Sequence, residues 1–463
     1  MKDKRNKKLV VVLAIVTALF LAISLYLLYF QIFKADKLNK DPRNARNFED
    51  NAYAERGKIL DKNGKLLAYS EKNEDGKTYT RKYSYNYLYS NITGYSDPNL
   101  GKIGIEASLN RELANVSKKE DLFTRIDSLV SETNASDVYL TIENDIQEYA
   151  WEALGNYTGS VIVADPKTGA ILAMVSKPTF NVNTLRADWE NIIASEDGRL
   201  LNRPGQGLYE PGSVFKTVSS ITFLRAGIDL SYNDKGTATI ADHTINNYAK
   251  RAHGEISLRE ALMYSSNTYF YEKSREVSNE DYIKVLKDFG IGEDYEFSLP
   301  LKSSIFPFKS GLSDLEKANA AFGQGQTLMT PMDMLLITMG IANDGIVYRP
   351  YIVDKIDRNG IVKQNEDNIL SDRIESEYAK TVREYLTATA EYNGFTLKSG
   401  IYSAGKTGTG QTSDGLNNNW YINMAPADDP KYVVVVTIEG SQQTAFSTAG
   451  PIASRVLNYV INR

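Results

Sequence analysis

Tyr209-Glu210-Pro211-Gly212-Ser213-Val214-Phe215-Lys216 is the stretch on which the fold and chemistry of this chain turn. It opens a helix predicted over 213–226. Serine in the first turn and lysine three residues on put both side chains on one face, one turn apart. Such a pair suits nucleophilic catalysis without histidine, because an unprotonated Lys216 amine can accept the Ser213 proton. The positive end of the helix opposes protonation of Lys216 and favours a developing oxyanion, for which the Ser213 N–H is an available donor. Alone the pattern says little. Ser403-Ala404-Gly405-Lys406 repeats it, and in a strand those two side chains face opposite ways.

Two further groups belong with it. Ser265-Ser266-Asn267 offers a second hydroxyl and an amide, although Ser84-Tyr85-Asn86 and Ser108-Leu109-Asn110 have the same form. Lys406-Thr407-Gly408-Thr409 sits on a predicted strand, where lysine supplies positive charge and the hydroxyls can bind a carboxylate. Its look-alike, Lys167-Thr168-Gly169, reads as a hairpin turn. The order Ser213, Ser265, Lys406 carries more than any one motif. The contexts are a helix start, a loop after a helix and a sheet edge.

Composition narrows the chemistry. The chain has 463 residues, room for roughly two to four domains at about 150 residues each. Its 53 basic and 58 acidic residues give a net charge of −5, without the basic excess of a nucleic-acid binder. With no cysteine, there is no disulfide, thiol nucleophile or Cys-ligated metal. The two histidines, His243 and His253, rule out a histidine-rich metal site, and His253 reads as structural.

Leu9 to Phe33 is free of charge and polar only at Thr17, Ser24 and Gln31. A helix of that length rises about 37 Å, enough to span a ~30 Å hydrocarbon core with tilt. Lys2, Lys4, Arg5, Lys7 and Lys8 precede it against Asp3 alone, which predicts a cytoplasmic N-terminus and an uncleaved anchor. The expected organisation is residues 1–8 in the cytoplasm, 9–33 across the membrane, 34–140 as linker and membrane-proximal pedestal, and 141–463 as the catalytic domain outside.

Tyr83, Tyr85, Tyr87 and Tyr89 alternate with polar or aliphatic residues, which reads as a half-buried strand rather than a sugar-stacking platform. The rest of 56–137 reads as irregular, with an amphipathic helix over 123–133. Beyond it, a helix over 143–154 precedes strands Ser160–Asp165 and Ala170–Ser176, joined by Pro166-Lys167-Thr168-Gly169. Helices are predicted over 213–226, 257–275, 280–289, 313–322, 331–343 and 374–391. Strands return over 403–409, 419–425 and 431–439, and 447–462 closes the chain as a helix. A mixed α/β fold of the α+β type follows, its antiparallel sheet completed by distant parts of the chain.

The ordered series Ser-x-x-Lys, Ser-x-Asn, Lys-Thr-Gly resembles that of the penicillin-binding proteins and serine β-lactamases. Arg56-Gly57-Lys58-Ile59-Leu60-Asp61, Gly104-Ile105-Glu106, Gly323-Gln324-Gly325-Gln326 and Thr330-Pro331 extend the likeness over nearly the whole chain beyond the anchor. It is similar to class B penicillin-binding proteins, most of all the compact penicillin-binding protein A subgroup. Gly410-Gln411 departs from the small-acidic pair usual in that family.

The resemblance implies a five-stranded antiparallel sheet flanked by helices, with an all-helical subdomain. It also implies a peptidoglycan D,D-transpeptidase, acylated by β-lactams, with no metal or organic cofactor. Ser213 would be the nucleophile, Lys216 its base, Ser265 the proton carrier and Asn267 the positioning amide. Lys406, Thr407, Gly408 and Thr409 would bind the substrate, with Lys406, Thr407 and Thr409 on its terminal carboxylate, and the N–H groups of Ser213 and Thr409 would form the oxyanion hole. Peptidoglycan stem peptides would be donor and acceptor, and the pedestal would meet a SEDS-family membrane glycan polymerase. The alternatives are a D,D-carboxypeptidase or other serine hydrolase, and a non-catalytic β-lactam-binding scaffold.

Overall fold

A computed structural model describes residues 2–34, 53–114, 135–240, 242–308, 312–398 and 400–463. The helix predicted over 123–133 and most of the linker lie outside them. Lys2–Phe33 is one helix, and its Leu13–Phe30 portion is long and apolar enough to cross a membrane and buries nothing against the rest of the chain.

The central sheet has five antiparallel strands in the order Ala404–Gln411, Asn417–Ala425, Tyr432–Ser441, Gly159–Ala164, Ile171–Lys177. The β-branched run Val433-Val434-Val435-Val436 pairs in register with Val161-Ile162-Val163-Ala164 and is buried on both faces, as a sheet covered on both sides requires. Alternation divides it. Val161, Val163, Val434 and Val436 join the Asn144–Leu154 and Ala449–Ile461 helices through Ile146, Ile452 and Val456. Ile162, Val433 and Val435 face the Pro331–Ala342 helix, whose every residue is buried. Thr330 caps that helix by accepting the Asp333 N–H at 3.0 Å.

Between the two strand groups lies the helical half: Lys216–Ala226, Leu258–Met263, Asn267–Lys273, Asn279–Asp288, Asp314–Ala321 and Ser376–Tyr392. Three of these helices begin with capping boxes, Ser257/Glu260, Ser278/Asp281 and Ser313/Glu316. The helix predicted over 257–275 is two helices. Tyr264, Ser265 and Ser266 interrupt it, and Ser265 takes φ +53°, where the chain cannot continue a right-handed helix.

The alternating tyrosines do not form a strand. The strand is Tyr79–Tyr83, and beyond it the chain turns through Ser84–Tyr89. Asn183 draws this turn in by donating to Tyr83 O and Asn86 Oδ1 at 2.9 Å each, while the Val182 N–H donates to Asn86 O. Tyr83 and Tyr89 are buried and Tyr87 is exposed, so the apolar pattern reflects packing around a bend.

The region over 56–137, expected to be largely irregular, carries a sheet that reaches across the boundary expected at residues 140/141. Its six strands run in the order Ile361–Gln364, Val353–Arg358, Asp137–Leu140, Ile59–Leu60, Leu66–Lys72, Tyr79–Tyr83. Asn359-Gly360, both at positive φ, forms the hairpin turn between the first two, a sequence signal for a hairpin in its own right. At the centre of this region the buried Glu106 carboxylate pairs with Arg56 at 2.7 Å and Arg81 at 2.6 Å.

Candidate active site

Pro211-Gly212 turns the chain sharply into Ser213. Ser213 lies in a 3-10 turn, Gly212–Phe215, and the α-helix proper starts at Lys216. Gly212 has φ +53°, and a Cβ there would stand 2.6 Å from the Thr409 carbonyl, so neither conformation nor space admits a side chain. Its N–H donates to Gly323 O at 2.9 Å. Phe215 anchors the turn from below against Tyr282, Phe306 and Phe308. Residues Lys216 to Phe223 are all buried, which is why this helix shows no polar face.

The edge strand Ala404–Gln411 lies flush against this turn. At Gly408 a Cβ would fall 2.5 Å from Pro211 O, and at Gly410 it would fall 2.2 Å from Glu210 O. Close backbone approach leaves no room for a side chain at Gly410. Glu210 is also held by the Trp420 indole N–H, which donates to its carbonyl, and by Asn418, which donates to its carboxylate, each at 2.8 Å.

Two amines meet at Ser265. Lys216 Nζ donates to Ser265 O and to Asn267 Oδ1 at 2.8 Å each and stands 3.2 Å from Ser265 Oγ. Lys406 Nζ donates to the same Oγ at 3.0 Å and to Thr407 O at 3.1 Å. Burial, and then the Lys406 charge, hold Lys216 well below the ordinary range of an amine, with Asp234 opposing them. Burial pushes Lys406 down to about 7. A neutral Lys216 has two N–H bonds, which satisfy Ser265 O and Asn267 Oδ1, and a lone pair left to take a proton from a hydroxyl.

Ser213, Ser265, Asn267, Thr407 and Thr409 line one cleft of about 1030 Å³, with Tyr264, Gln324 and Phe446 also on its wall. Thr409 Oγ1 accepts the Ala445 N–H at 3.2 Å. The buried Lys216 and Lys406 reach its floor through Ser265.

A match to the family "Penicillin binding protein transpeptidase domain" covers residues 159–458, the span that holds this whole constellation. The chain belongs to the penicillin-binding protein transpeptidase family. A second match, to the "Penicillin binding protein A dimerisation domain", covers residues 56–137. Among relatives, the peptidoglycan D,D-transpeptidase PbpA of Mycolicibacterium smegmatis is 28% identical over 459 residues, with 92% of each chain covered. The D,D-transpeptidase domain of a peptidoglycan glycosyltransferase from Eggerthella lenta superposes with a TM-score of 0.79 at 33% identity. That match covers 88% of this chain and 98% of the other. Penicillin-binding protein A from M. tuberculosis, solved as its penicillin G acyl-enzyme, gives 0.80 at 25% identity over 88% and 99%.

Ser213, Lys216, Ser265, Asn267, Lys406, Thr407 and Thr409 gather here in this penicillin-binding protein, whereas Gly408 is the contact between strand and turn and not a cleft residue. Sequence reading missed Asp234 and Asn247, which lie beneath Ser265 and Asn267 and belong to no motif. It quoted Gly323-Gln324 for its likeness alone. In the structure, Gly323 pins Gly212, and Gln324 Nε2 donates to Thr409 O at 3.4 Å. His253 stacks on Tyr264 with ring centroids 4.5 Å apart.

Proposed function

We propose that this penicillin-binding protein is a peptidoglycan D,D-transpeptidase that works through a Ser213 acyl-enzyme and is acylated by β-lactams at the same residue. The carrying observation is the pair of buried amines converging on Ser265 Oγ beside the Ser213 turn. Lys216, neutral through burial, takes the Ser213 proton as Oγ attacks the carbonyl of the penultimate D-Ala of a stem peptide. The Ser213 and Thr409 N–H groups receive the oxyanion, each such donor lowering the barrier by about 3 kcal/mol. As the C–N bond breaks, Ser265 gives its proton to the departing D-Ala and is reprotonated from Lys216. Asn267 keeps Lys216 aimed, and Lys406, Thr407 and Thr409 bind the terminal carboxylate. An amine of a neighbouring stem peptide then attacks the ester, forms the cross-link and frees Ser213.

The same reading places Lys2–Phe33 as a single anchor with its basic end in the cytoplasm and the cleft outside, supported by the basic residues ahead of Leu9. A SEDS-family glycan polymerase as partner of the pedestal rests on the family resemblance, and co-purification of the full-length chain from membranes tests it. For the activity, the full-length chain in detergent is incubated with fluorescent penicillin beside Ser213→Ala. A covalent band is expected from wild type only, and no band from folded wild type overturns the proposal. With a D-Ala-D-Ala peptide and an acceptor amine, cross-linked product should accompany D-Ala release. Release with water as the only acceptor moves the reading to a carboxypeptidase.

A further inference from the structure

Asp234 ends the short strand Tyr232–Asp234, which pairs antiparallel with Gly254–Ile256. It is 1% exposed, and its carboxylate collects donors from three segments. The Gly236 N–H and the Thr268 hydroxyl reach Oδ1 at 2.8 Å each, and the Ser266 hydroxyl reaches Oδ2 at 2.9 Å. Asn247 Nδ2 spans both oxygens at 2.9 and 2.8 Å. The other end of the Asn247 amide faces the reactive side. Its Oδ1 accepts the N–H groups of Asn267 at 2.8 Å and Thr268 at 3.1 Å, at the start of the Asn267–Lys273 helix. Asn267 and Ser266, both tied into this cluster, flank or follow the left-handed Ser265.

We propose that Asp234 is a positioning residue for acyl transfer: with Asn247 it forms a buried carboxylate–amide clamp that holds Ser265 and Asn267 against Lys216. The clamp explains how an interrupted helix presents a hydroxyl, a carbonyl and an amide oxygen to one amine with fixed geometry. An acceptor-only carboxylate fits, because every group aimed at it is a donor. Asp234 also supplies the negative charge that opposes burial and Lys406 in setting the basicity of Lys216. Lys406 on the edge strand and Asp234 are the charged groups acting on Lys216, with the Phe270 ring 5.4 Å from its Nζ.

The inference rests on the acyl-transfer reading, and one experiment separates the two. The rate constant of acylation by penicillin G is measured against pH for full-length wild type, Asp234→Asn and Thr268→Val, with a thermal melt for each. Asp234→Asn should lower the plateau rate about tenfold or more, the scale of a lost hydrogen bond to a charged group. Its acid limb should move to lower pH, because Lys216 without the nearby negative charge is harder to protonate. Thr268→Val removes one donor and leaves the charge, so its plateau should fall several-fold with the limb unmoved. A folded Asp234→Asn with the wild-type plateau and limb overturns the clamp, as does a loss that follows the unfolded fraction with the limb in place. If Asp234→Asn does not fold, Thr268→Val decides, and a wild-type plateau there overturns the clamp. Absence of acylation in wild type defeats the functional reading instead.

Discussion

Ser265 Oγ stands 3.2 Å from Lys216 Nζ and 3.0 Å from Lys406 Nζ, and the proposed mechanism needs the two amines in opposite protonation states. Lys216 must be neutral to accept a proton, and it loses that capacity as pH falls through its lowered pKa. Lys406 must be charged to hold a carboxylate, and with a pKa of about 7 in the free enzyme it loses its charge as pH rises above that value. The second-order acylation rate constant should therefore trace a bell, its acid limb in the saturated rate and its alkaline limb in the half-saturating concentration. Stopped-flow kinetics over pH with penicillin G would show the split, and a flat alkaline half-saturation would refute the Lys406 role. Lys406→Met should weaken half-saturation and move the acid limb to higher pH, because a positive neighbour of Lys216 is gone. That is the opposite direction to Asp234→Asn.

At the scale of the element, the site depends on a helix that stops and a strand without side chains at its contact points. Ser265 at φ +53° carries a conformational cost that glycine would not, on the order of 1 kcal/mol. Ser265→Gly should thus be more stable than Ser265→Ala by about 1 kcal/mol in urea unfolding, with acylation lost in both. Gly408→Ala places a methyl 2.5 Å from Pro211 O, so the edge strand must retreat from the Ser213 turn. A shift on the order of 1 Å costs roughly a hundredfold in acylation, and labelling rate measures it. Among the strands of the central sheet, Gly159–Ala164 and Tyr432–Ser441 were the most legible in sequence because each carries a β-branched run. The Ser265 break was legible only in part: the motif's context put it in a loop after a helix, yet 257–275 keeps a helical pattern throughout, and the interruption is held by Asp234 and Asn247, distant in sequence. The Val353–Gln364 hairpin had its Asn359-Gly360 signal, but its partner strand, Asp137–Leu140, lies far back in the chain.

Across the described residues the 56–137 region and the central sheet share one packed core: Ile59, Leu67, Tyr83 and Ile105 belong to the same cluster as Ile162, Phe215 and Leu335. Gln147 bolts them together, donating to Leu88 O at 3.1 Å and Met174 O at 3.0 Å and accepting the Met174 N–H. Glu106→Ala would leave Arg56 and Arg81 buried without their carboxylate, a loss of about 3–5 kcal/mol. Because the core is continuous, that loss should lower the midpoint of all the described chain beyond residue 53 in one transition. Near-UV circular dichroism and loss of penicillin labelling should coincide on heating, and a separate early transition with labelling intact would contradict the shared core.

Local chemistry along the chain settled the long apolar N-terminal helix, the two strand groups around a helical middle, and the ordered series Ser213, Ser265, Lys406. Each is a property of residues close in sequence, or of their order. Tertiary structure alone decided that Ser265 sits in a left-handed turn and that two lysines from opposite ends of the domain share its hydroxyl. It also decided that Gly408 and Gly410 are set by backbone contact, and that residues 353–364 complete the six-stranded sheet. Those outcomes depend on which distant backbones approach each other and on how many buried donors one carboxylate must satisfy. No window of sequence contains that information.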